Sequence, residues 1–235
     1  LYTFFGIDPY LAVPMVAAVM FVLGAGIQHT LITPSLGTKS FTNLLFLTVG
    51  LGLLLSNGAL VIFGSEYRSI RTAYSQTYIP MGPVTISLPR MISFGVLIVV
   101  TIALFAFLKY TTVGKQIRAV SQNPVGAEVV GIDVKKIYLL TYGLGVALAG
   151  TAGALLTQFY TIFPTAGASF GFRALIVVVV GGLGSIPGAF LAGIFLGLLE
   201  TMSALFISPS YSDLIVFMTF IVILVVRQTV IARRK

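Results

Sequence analysis

The chain has 235 residues, of which 57% are hydrophobic and only 9% are charged, and it carries a formal net charge of +8 and no cysteine. A soluble domain has about 25% charged residues, so the composition excludes a water-covered globular domain, and the lack of cysteine excludes disulfides and cysteine-based metal sites. The positive charge does not indicate a nucleic-acid partner, because the basic residues stand at the ends of apolar segments, where the positive-inside rule places them.

Six apolar segments are long enough to cross a bilayer as helices, which takes about 20 residues each. They are Tyr10–Ile32, Thr42–Phe63, Met91–Leu108, Ile137–Gln158, Gly188–Phe206 and Asp213–Val230. A seventh apolar run, Phe172–Gly182, has 11 residues and would reach about 16 Å, roughly half of the bilayer. The sequence therefore predicts an all-α, polytopic membrane helix bundle. It has six full transmembrane helices and one short broken or re-entrant segment, in a single domain over residues 1–235.

The lysines and arginines of the loops predict the orientation of the bundle. One set of loops, residues 33–41, 109–136 and 227–235, holds ten basic residues, and the opposite set holds four. The ten are Lys39, Lys109, Lys115, Arg118, Lys135, Lys136, Arg227, Arg233, Arg234 and Lys235, and the four are Arg68, Arg71, Arg90 and Arg173. This bias places the first set, with the C-terminus, in the cytoplasm. The chain begins with Leu1 rather than Met, and we expect the natural protein to start earlier.

The longest loop on the opposite side contains IPMGPVTISL, residues Ile79–Leu88. Two apolar runs flank Gly82-Pro83, which predicts a small hairpin or turn. Such a hairpin either contacts a partner outside the cell or caps the bundle.

The loop of residues 109–136 carries the signals of a short surface helix between two spans. Asn123 is a good N-cap, and Pro124 is tolerated at the first helical position. Gly131 is a typical residue to end a helix, and Asp133 can cap the span that follows. The loop therefore predicts a helix at the cytoplasmic surface.

One face of this predicted helix is apolar. Val125, Val129 and Val130 would present apolar surface, while Glu128 would face water. From spacing alone, the helix is either an interfacial anchor of the bundle or a docking point for a partner protein.

Two long motifs carry a family resemblance. GKQIRAVSQNPVGAEVVGIDVKKIYLLTYGLGVALAGTAGALL begins at Gly114, and GGLGSIPGAFLAGIFLGLLE begins at Gly181. Together with FGSEYRSI at Phe63–Ile70 they resemble the permease subunit of branched-chain amino acid ABC importers, over essentially the whole chain. The resemblance implies an all-helical permease in the cytoplasmic membrane of a bacterium or archaeon, with about two further helices before the position of Leu1.

The resemblance also implies partners. Importers of this family contain a second, related permease, two cytoplasmic ATPases and a soluble substrate-binding protein, periplasmic or extracellular, and the permease itself needs no cofactor. Residues 109–136 would then be the coupling loop that docks on an ATPase. The positions carried over are Arg118, Pro124, Ala127, Glu128 and Gly131. The local sequence GAEVVG departs from the Glu-Ala-Ala…Gly pattern of many ABC importers, so the resemblance transfers the place of the contact and no individual salt bridge.

The segment GGLGSIPG, residues Gly181–Gly188, predicts a break in the backbone between two apolar segments. Irregular backbone at membrane depth is tolerated only inside protein or beside a water-filled cavity. The candidate pathway or hinge residues are Gly181, Gly182, Gly184, Ser185, Pro187 and Gly188. The alternative is a tight turn between two helices with no part in transport.

Glu200 is an acidic residue within an apolar span, which is costly and normally requires a partner. We expect Arg173 to be that partner and the pair to tie the short segment to its neighbour. Small residues also recur on helical faces, at Ala189, Gly193 and Gly197 and at Ala149 and Gly153. They predict close helix packing or faces that slide during alternating access.

Catalytic and metal chemistry is not expected of this chain. The sequence contains no GxxxxGK[ST] phosphate-binding loop, so ATP hydrolysis belongs to partner subunits. The lone His29 makes no convincing metal site. The sequence therefore predicts an importer permease for branched-chain amino acids. The alternative substrates are urea, short amides or simple sugars. A channel or secondary transporter is disfavoured, since its ion relay would need more ionisable residues within the spans.

Overall fold

The computed structural model of the protein describes residues 8–36, 41–66, 77–81 and 84–232. The chain forms two compact units, Leu1–Thr165 and Ala166–Lys235. Several residues used above lie outside the described residues: Lys39, Arg68, Arg71, the turn Gly82-Pro83, Arg233, Arg234 and Lys235.

The first unit contains seven of the helices and both strands that the structure describes. Helix α1 spans Pro9–Ile27 and continues through a π-helical turn, Gln28–Ile32, into α2, Thr33–Leu36. The others are α3 Phe41–Phe63, β1 Tyr78–Met81, β2 Val84–Ser87, α4 Leu88–Tyr110, α5 Thr112–Gln122, α6 Pro124–Val129 and α7 Val134–Leu156.

The second unit consists of three helices in its described part. They are α8 Ala166–Gly181, α9 Ile186–Phe206 and α10 Ser212–Ala232, with a 3₁₀ turn at Pro209–Tyr211 before α10. Ile176, Leu196 and Val216, one from each helix, are buried together and form the core of this unit.

Five helices in the described residues are long and apolar enough to cross a membrane. They are Pro9–Ser35, Thr42–Phe63, Leu88–Tyr110, Val134–Leu156 and Ile186–Phe206, and two shorter apolar helices are Ala166–Gly181 and Ser212–Val226. The predicted polytopic bundle is confirmed. Five of the six predicted full spans correspond to these five helices, and the sixth, Asp213–Val230, lies within α10, of which Ser212–Val226 is the part counted here.

The short segment is longer than its hydrophobicity indicates. Helix α8 has 16 residues and a length of about 24 Å, whereas the apolar run Phe172–Gly182 predicts 11. The extra turns come from residues 166–171, AGASFG, which are less apolar as a group than the run that follows them. The helix is continuous to Gly181, so the break in the backbone falls after α8 and not within it.

Helices α1 and α7 pack at close range through glycines. A methyl group added at Gly24 would lie 2.7 Å from Cβ of Val146, and one added at Gly150 would lie 2.6 Å from Cγ of Met20. Small residues allow this approach in a bilayer. The predicted pair of Ala149 and Gly153 does not make this contact, since a Cβ at Gly153 would meet no atom within 4 Å.

The small residues of α9 make a looser contact than the row of glycines predicts. A Cβ at Gly193 would lie 3.8 Å from the side chain of Val177, and one at Gly197 would meet nothing within 4 Å. Close packing in this unit is instead made by the glycines that precede and open α9.

A π-helical turn interrupts α1 where the sequence predicts a plain helix end. The N–H and the hydroxyl of Thr33 both donate to the carbonyl oxygen of Gln28, the hydroxyl at 2.8 Å. Pro34 follows directly; it has no N–H to donate and its ring crowds the preceding turn. Widening the turn removes this conflict, and the chain remains helical to Leu36.

The predicted hairpin is confirmed. Strands β1 and β2 pair antiparallel, with Tyr78 opposite Ser87 and Ile79 opposite Ile86. The strands lead directly into α4, whose first turn accepts a hydrogen bond of 2.9 Å from the hydroxyl of Tyr10 to the carbonyl of Pro89.

Candidate functional site

The predicted coupling loop, residues 109–136, begins at a tight turn between α4 and α5. The side chain of Thr111 caps α5 by accepting a hydrogen bond of 3.0 Å from the N–H of Gly114. A Cβ at Gly114 would lie 2.5 Å from the carbonyl oxygen of Leu108, so the turn requires glycine there. Helix α5 is amphipathic, with Lys115 and Arg118 exposed and Val120 buried.

Helix α6 is short and firmly capped at both ends. At its start, the N–H of Gly126 donates to the Asn123 side chain at 3.0 Å. At its end, Gly131 adopts φ +85°, and the N–H groups of Gly131 and Ile132 donate to the carbonyls of Glu128 and Ala127, both at 3.0 Å. This pair of bonds is a Schellman motif, which satisfies the last carbonyls of the helix. The predicted caps at Asn123 and Gly131 are therefore confirmed.

Ala127 points into the protein and not towards a partner. It is 3% exposed and packs with Val120 and Ile137, which are also buried. Its side chain packs α6 against α5 and α7, and the part of Ala127 in coupling stays a prediction. Only a small residue fits there, because three helices meet around it.

Three valines of the predicted coupling loop are highly exposed. Val125, Val129 and Val130 are 70%, 82% and 74% exposed. Pro124, Glu128 and Arg118 are also exposed, around or beside them. We call Val125, Val129 and Val130 the valine patch. It is an apolar surface on a capped helix and its C-cap residue.

Asp133 fixes the start of α7. Its carboxylate accepts a hydrogen bond of 3.1 Å from the N–H of Lys136 and lies 3.1 Å from the Lys136 ammonium. The backbone hydrogen bond from Lys136, followed by that from its side chain, lowers the pKa of Asp133 below the ordinary value. Asp133 is therefore a charged N-cap at neutral pH, which stabilises the helix end.

The Gly181–Gly188 segment is a tight turn between α8 and α9. Gly182 and Gly184 have φ of +90° and +85°, which side-chain-bearing residues adopt only with strain. Ser185 caps α9 by accepting from the N–H of Gly188 at 3.1 Å, and Pro187 occupies an early helical position, where its missing N–H costs nothing.

Gly181 and Gly188 bring the two helices together across this turn. A Cβ at Gly181 would lie 2.5 Å from the backbone nitrogen of Ala189, and a Cβ at Gly188 would overlap the carbonyl oxygen of Gly181. The four glycines thus have two separate roles: Gly182 and Gly184 allow the chain to turn, and Gly181 and Gly188 allow the backbones to touch.

Arg173 joins three helices through charge. Its Nη1 lies 2.9 Å from Oε1 of Glu200, and its Nη2 lies 2.7 Å from Oδ1 of Asp213. The three residues stand on α8, α9 and α10, one helical turn from Ile176, Leu196 and Val216 respectively. The structure thus brings Arg173 and Glu200 together and adds Asp213.

The pairing of Asp213 was not predicted from the sequence, although this residue stands in the first turn of an apolar helix. The available signal was that Arg173 is the basic residue of α8, whereas α9 and the start of α10 each carry one carboxylate, Glu200 and Asp213. A guanidinium has five N–H donors in a fixed fork and can serve both.

Comparison with known proteins gives the family. A family model described as "Branched-chain amino acid transport system / permease component" matches residues 1–224. The high-affinity branched-chain amino acid transport system permease protein LivH of Escherichia coli K12 is 37% identical over 134 residues, which are 57% of this chain and 44% of the relative.

Other relatives align over more of the chain. BraD of Pseudomonas aeruginosa, also a high-affinity branched-chain amino acid transport system permease protein, is 31% identical over 191 residues, 79% of this chain and 62% of the relative. A probable branched-chain amino acid transport permease protein LivH of Methanocaldococcus jannaschii is 30% identical over 215 residues, 88% of this chain and 67% of the relative.

A sugar permease is also similar, over a shorter stretch. The ribose import permease protein RbsC of Escherichia coli K12 is 31% identical over 125 residues, 50% of this chain and 39% of the relative. No solved structure matches the chain. The chain spans less than half the length of the E. coli LivH protein that it matches. Because the family model covers nearly all of its residues, the chain belongs to the branched-chain amino acid transport system permease family.

Proposed function

We propose that this chain is the transmembrane permease subunit of an ATP-driven ABC importer that moves branched-chain amino acids across the cytoplasmic membrane. The observation that carries the proposal is the valine patch. A capped helix of six residues follows one membrane-spanning helix and precedes another, and it presents three exposed valines on itself and its C-cap. An apolar patch on a rigid surface element is typical of a protein–protein contact.

The proposed partner of the valine patch is a cytoplasmic ATPase subunit. Helix α6 can transmit a displacement because its caps and the buried Ala127 prevent it from moving independently of α7. A displacement of the valine patch is therefore transmitted to a membrane-spanning helix. Two ATPases, a second related permease and an extracytoplasmic substrate-binding protein complete the proposed importer, with residues 109–136 and the C-terminus in the cytoplasm.

The coupling proposal is tested with Val129→Arg in the assembled complex. Val129 is 82% exposed, so the substitution should not disturb the fold. It would place a charge in the centre of an apolar contact. Loss of a central contact residue costs about 2 kcal/mol or more, so we expect substrate-stimulated ATP hydrolysis to fall at least tenfold.

Gln122→Arg is the matched control for this experiment. Gln122 is exposed at the end of α5, so the variant adds the same charge beside the valine patch and not within it. Normal stimulated hydrolysis by a Val129→Arg complex that contains both ATPases would overturn the coupling role of the valine patch.

The substrate is tested by uptake. Proteoliposomes that contain the complete importer should accumulate leucine, isoleucine or valine and not ribose. The similarity to a ribose permease makes simple-sugar import the second candidate function. Uptake of ribose without uptake of leucine would replace the first proposal with the second, while leaving the ATP-driven mechanism in place.

We also propose that the turn at Gly182–Ser185 is a rigid joint in the transport cycle. Its support is the backbone contact of Gly181 with Gly188 and Ala189, which ties the end of α8 to the start of α9. On this proposal α8 and α9 move as one hairpin, and the ion pairs of Arg173, in the middle of α8, join the hairpin to α10. Gly184→Val should then reduce uptake while assembly persists.

A further inference from the structure

A cleft lies beside the π-helical turn of the first unit, with a volume of about 520 Å³. Cavities that hold small ligands in proteins have volumes of about 300–1,000 Å³. One wall comes from the π turn, through Gln28 and Ile32. The other wall comes from α7, where the lining residues recur every three or four positions and so share one helical face.

The wall on the π turn combines a polar group with an apolar one. Gln28 is 3% exposed as a residue, and its amide nitrogen makes a long hydrogen bond of 3.5 Å to the Thr33 hydroxyl. A primary amide has two N–H donors and an oxygen acceptor, so one weak contact leaves most of this capacity for a ligand. Ile32, one turn further along, is buried and apolar.

The wall on α7 also combines polar and apolar groups. Thr141 and Tyr142 contribute hydroxyl groups, and Val146 and Ala149 contribute apolar surface. The Thr141 hydroxyl donates to the carbonyl of Ile137 at 2.7 Å, so its oxygen is available as an acceptor. The Tyr142 phenol can donate or accept. No lining residue of the cleft is charged.

We infer that this cleft binds the transported amino acid as a neutral zwitterion with an aliphatic side chain, an inference that rests on the proposed function. Neutral groups that both donate and accept suit a ligand carrying one ammonium and one carboxylate. The acceptors Gln28 and Thr141 fit the ammonium, and the donors Gln28 and Tyr142 fit the carboxylate. The apolar surface of Ile32, Val146 and Ala149 suits a branched aliphatic chain and would leave a sugar's hydroxyl groups unpaired.

The π turn gives a reason for the position of this site. A π-helical turn is an irregularity that occurs frequently at functional sites, and both residues of this wall, Gln28 and Ile32, belong to it. The turn is maintained by Thr33 and Pro34, neither of which lines the cleft.

The chain has no cysteine, so a single introduced thiol gives a specific probe. Gly145 lines the cleft, is exposed, and a Cβ there would meet no atom within 4 Å. We expect a Gly145→Cys importer to take up leucine before modification. After reaction with N-ethylmaleimide, uptake should fall at least tenfold, the size of effect that a lost pocket contact produces. Leucine present during turnover should slow the labelling at least threefold.

Gly153→Cys is the matched control, since Gly153 also lies on α7 with no atom within 4 Å of a Cβ, and it does not line the cleft. Labelling of this variant should leave uptake unchanged. Ala149→Cys provides a second lining position if the Gly145 variant fails to assemble. Unchanged uptake by a fully labelled cleft variant, with labelling insensitive to leucine, would overturn the inference.

The experiment distinguishes a failure of the cleft inference from a failure of the proposed function. If the unmodified importer takes up leucine but the cleft variants behave like Gly153→Cys, the cleft is not the site and the proposed function stands. If the importer takes up ribose, and ribose but not leucine protects Gly145→Cys, then the zwitterion assignment falls together with the proposed substrate.

Discussion

The contact between the start of α9 and the end of α8 predicts that Gly188 cannot be replaced by alanine without loss of stability. A Cβ at Gly188 would overlap the carbonyl oxygen of Gly181, and the obstacle is backbone, which cannot rotate away. Relief requires α8 and α9 to separate. Forcing an extra methyl group into a packed site costs about 1–3 kcal/mol.

The higher helix propensity of alanine partly offsets the cost of the steric overlap. Alanine is a better helix former than glycine by about 1 kcal/mol in a helix interior, and Gly188 lies in the first turn of α9. The expected net loss for Gly188→Ala is about 0–2 kcal/mol relative to the wild type, and about 1–3 kcal/mol relative to a glycine-to-alanine change without the overlap. For a chain of this size, 1 kcal/mol moves the Tm by about 2–4 °C, so the Tm should fall by up to about 8 °C from the wild type and lie about 2–12 °C below that of such a control.

The assay is thermal unfolding of the purified protein in detergent, with Gly197→Ala as the control. Gly197 is in the same helix and a Cβ there meets nothing within 4 Å, so the control retains the helix-propensity gain without the overlap. Its Tm should equal or exceed that of the wild type. A Gly188→Ala protein as stable as the control would refute the close backbone contact on which this reasoning rests.

Three further predictions concern charge and orientation. The lowered pKa of Asp133 means that the folded state favours the carboxylate. The stabilisation by this carboxylate is present above the ordinary pKa of 3.8 and is lost as the pH falls through the lowered pKa. Asp133→Ala should therefore lower the Tm at pH 7, and the difference in Tm between the variant and the wild type should vanish in acid. Arg173→Met should destabilise the second unit more than Asp213→Asn. The first variant leaves two carboxylates facing each other, whereas the second removes one largely exposed ion pair that contributes about 0–1 kcal/mol. Equal Tm values for the two variants would contradict a central role for the guanidinium. An impermeant thiol reagent applied to intact cells should label Thr85→Cys in β2 and spare Ser121→Cys in α5, and the opposite labelling would reverse the proposed orientation.

The sequence determined the membrane class, the helices and the local caps of this protein. Runs of about 20 apolar residues must form helices in lipid, since every backbone group has to be satisfied internally. Caps such as Asn123 and Gly131 act on backbone groups a few residues away, so their geometry is set locally. The family resemblance likewise depended on contiguous motifs, which are visible in a sequence.

The tertiary structure decided which side chains meet. Ala127 and Val129 both belong to a short apolar helix by pattern, but only the packing of α5 and α7 shows that the alanine is buried and the valine exposed. Likewise, the sequence offered Arg173 one carboxylate, and the arrangement of three helices gave it two. The cleft beside the π turn was not predictable, because its walls come from residues more than 100 positions apart, and hydrophobic periodicity says nothing about which helical faces adjoin.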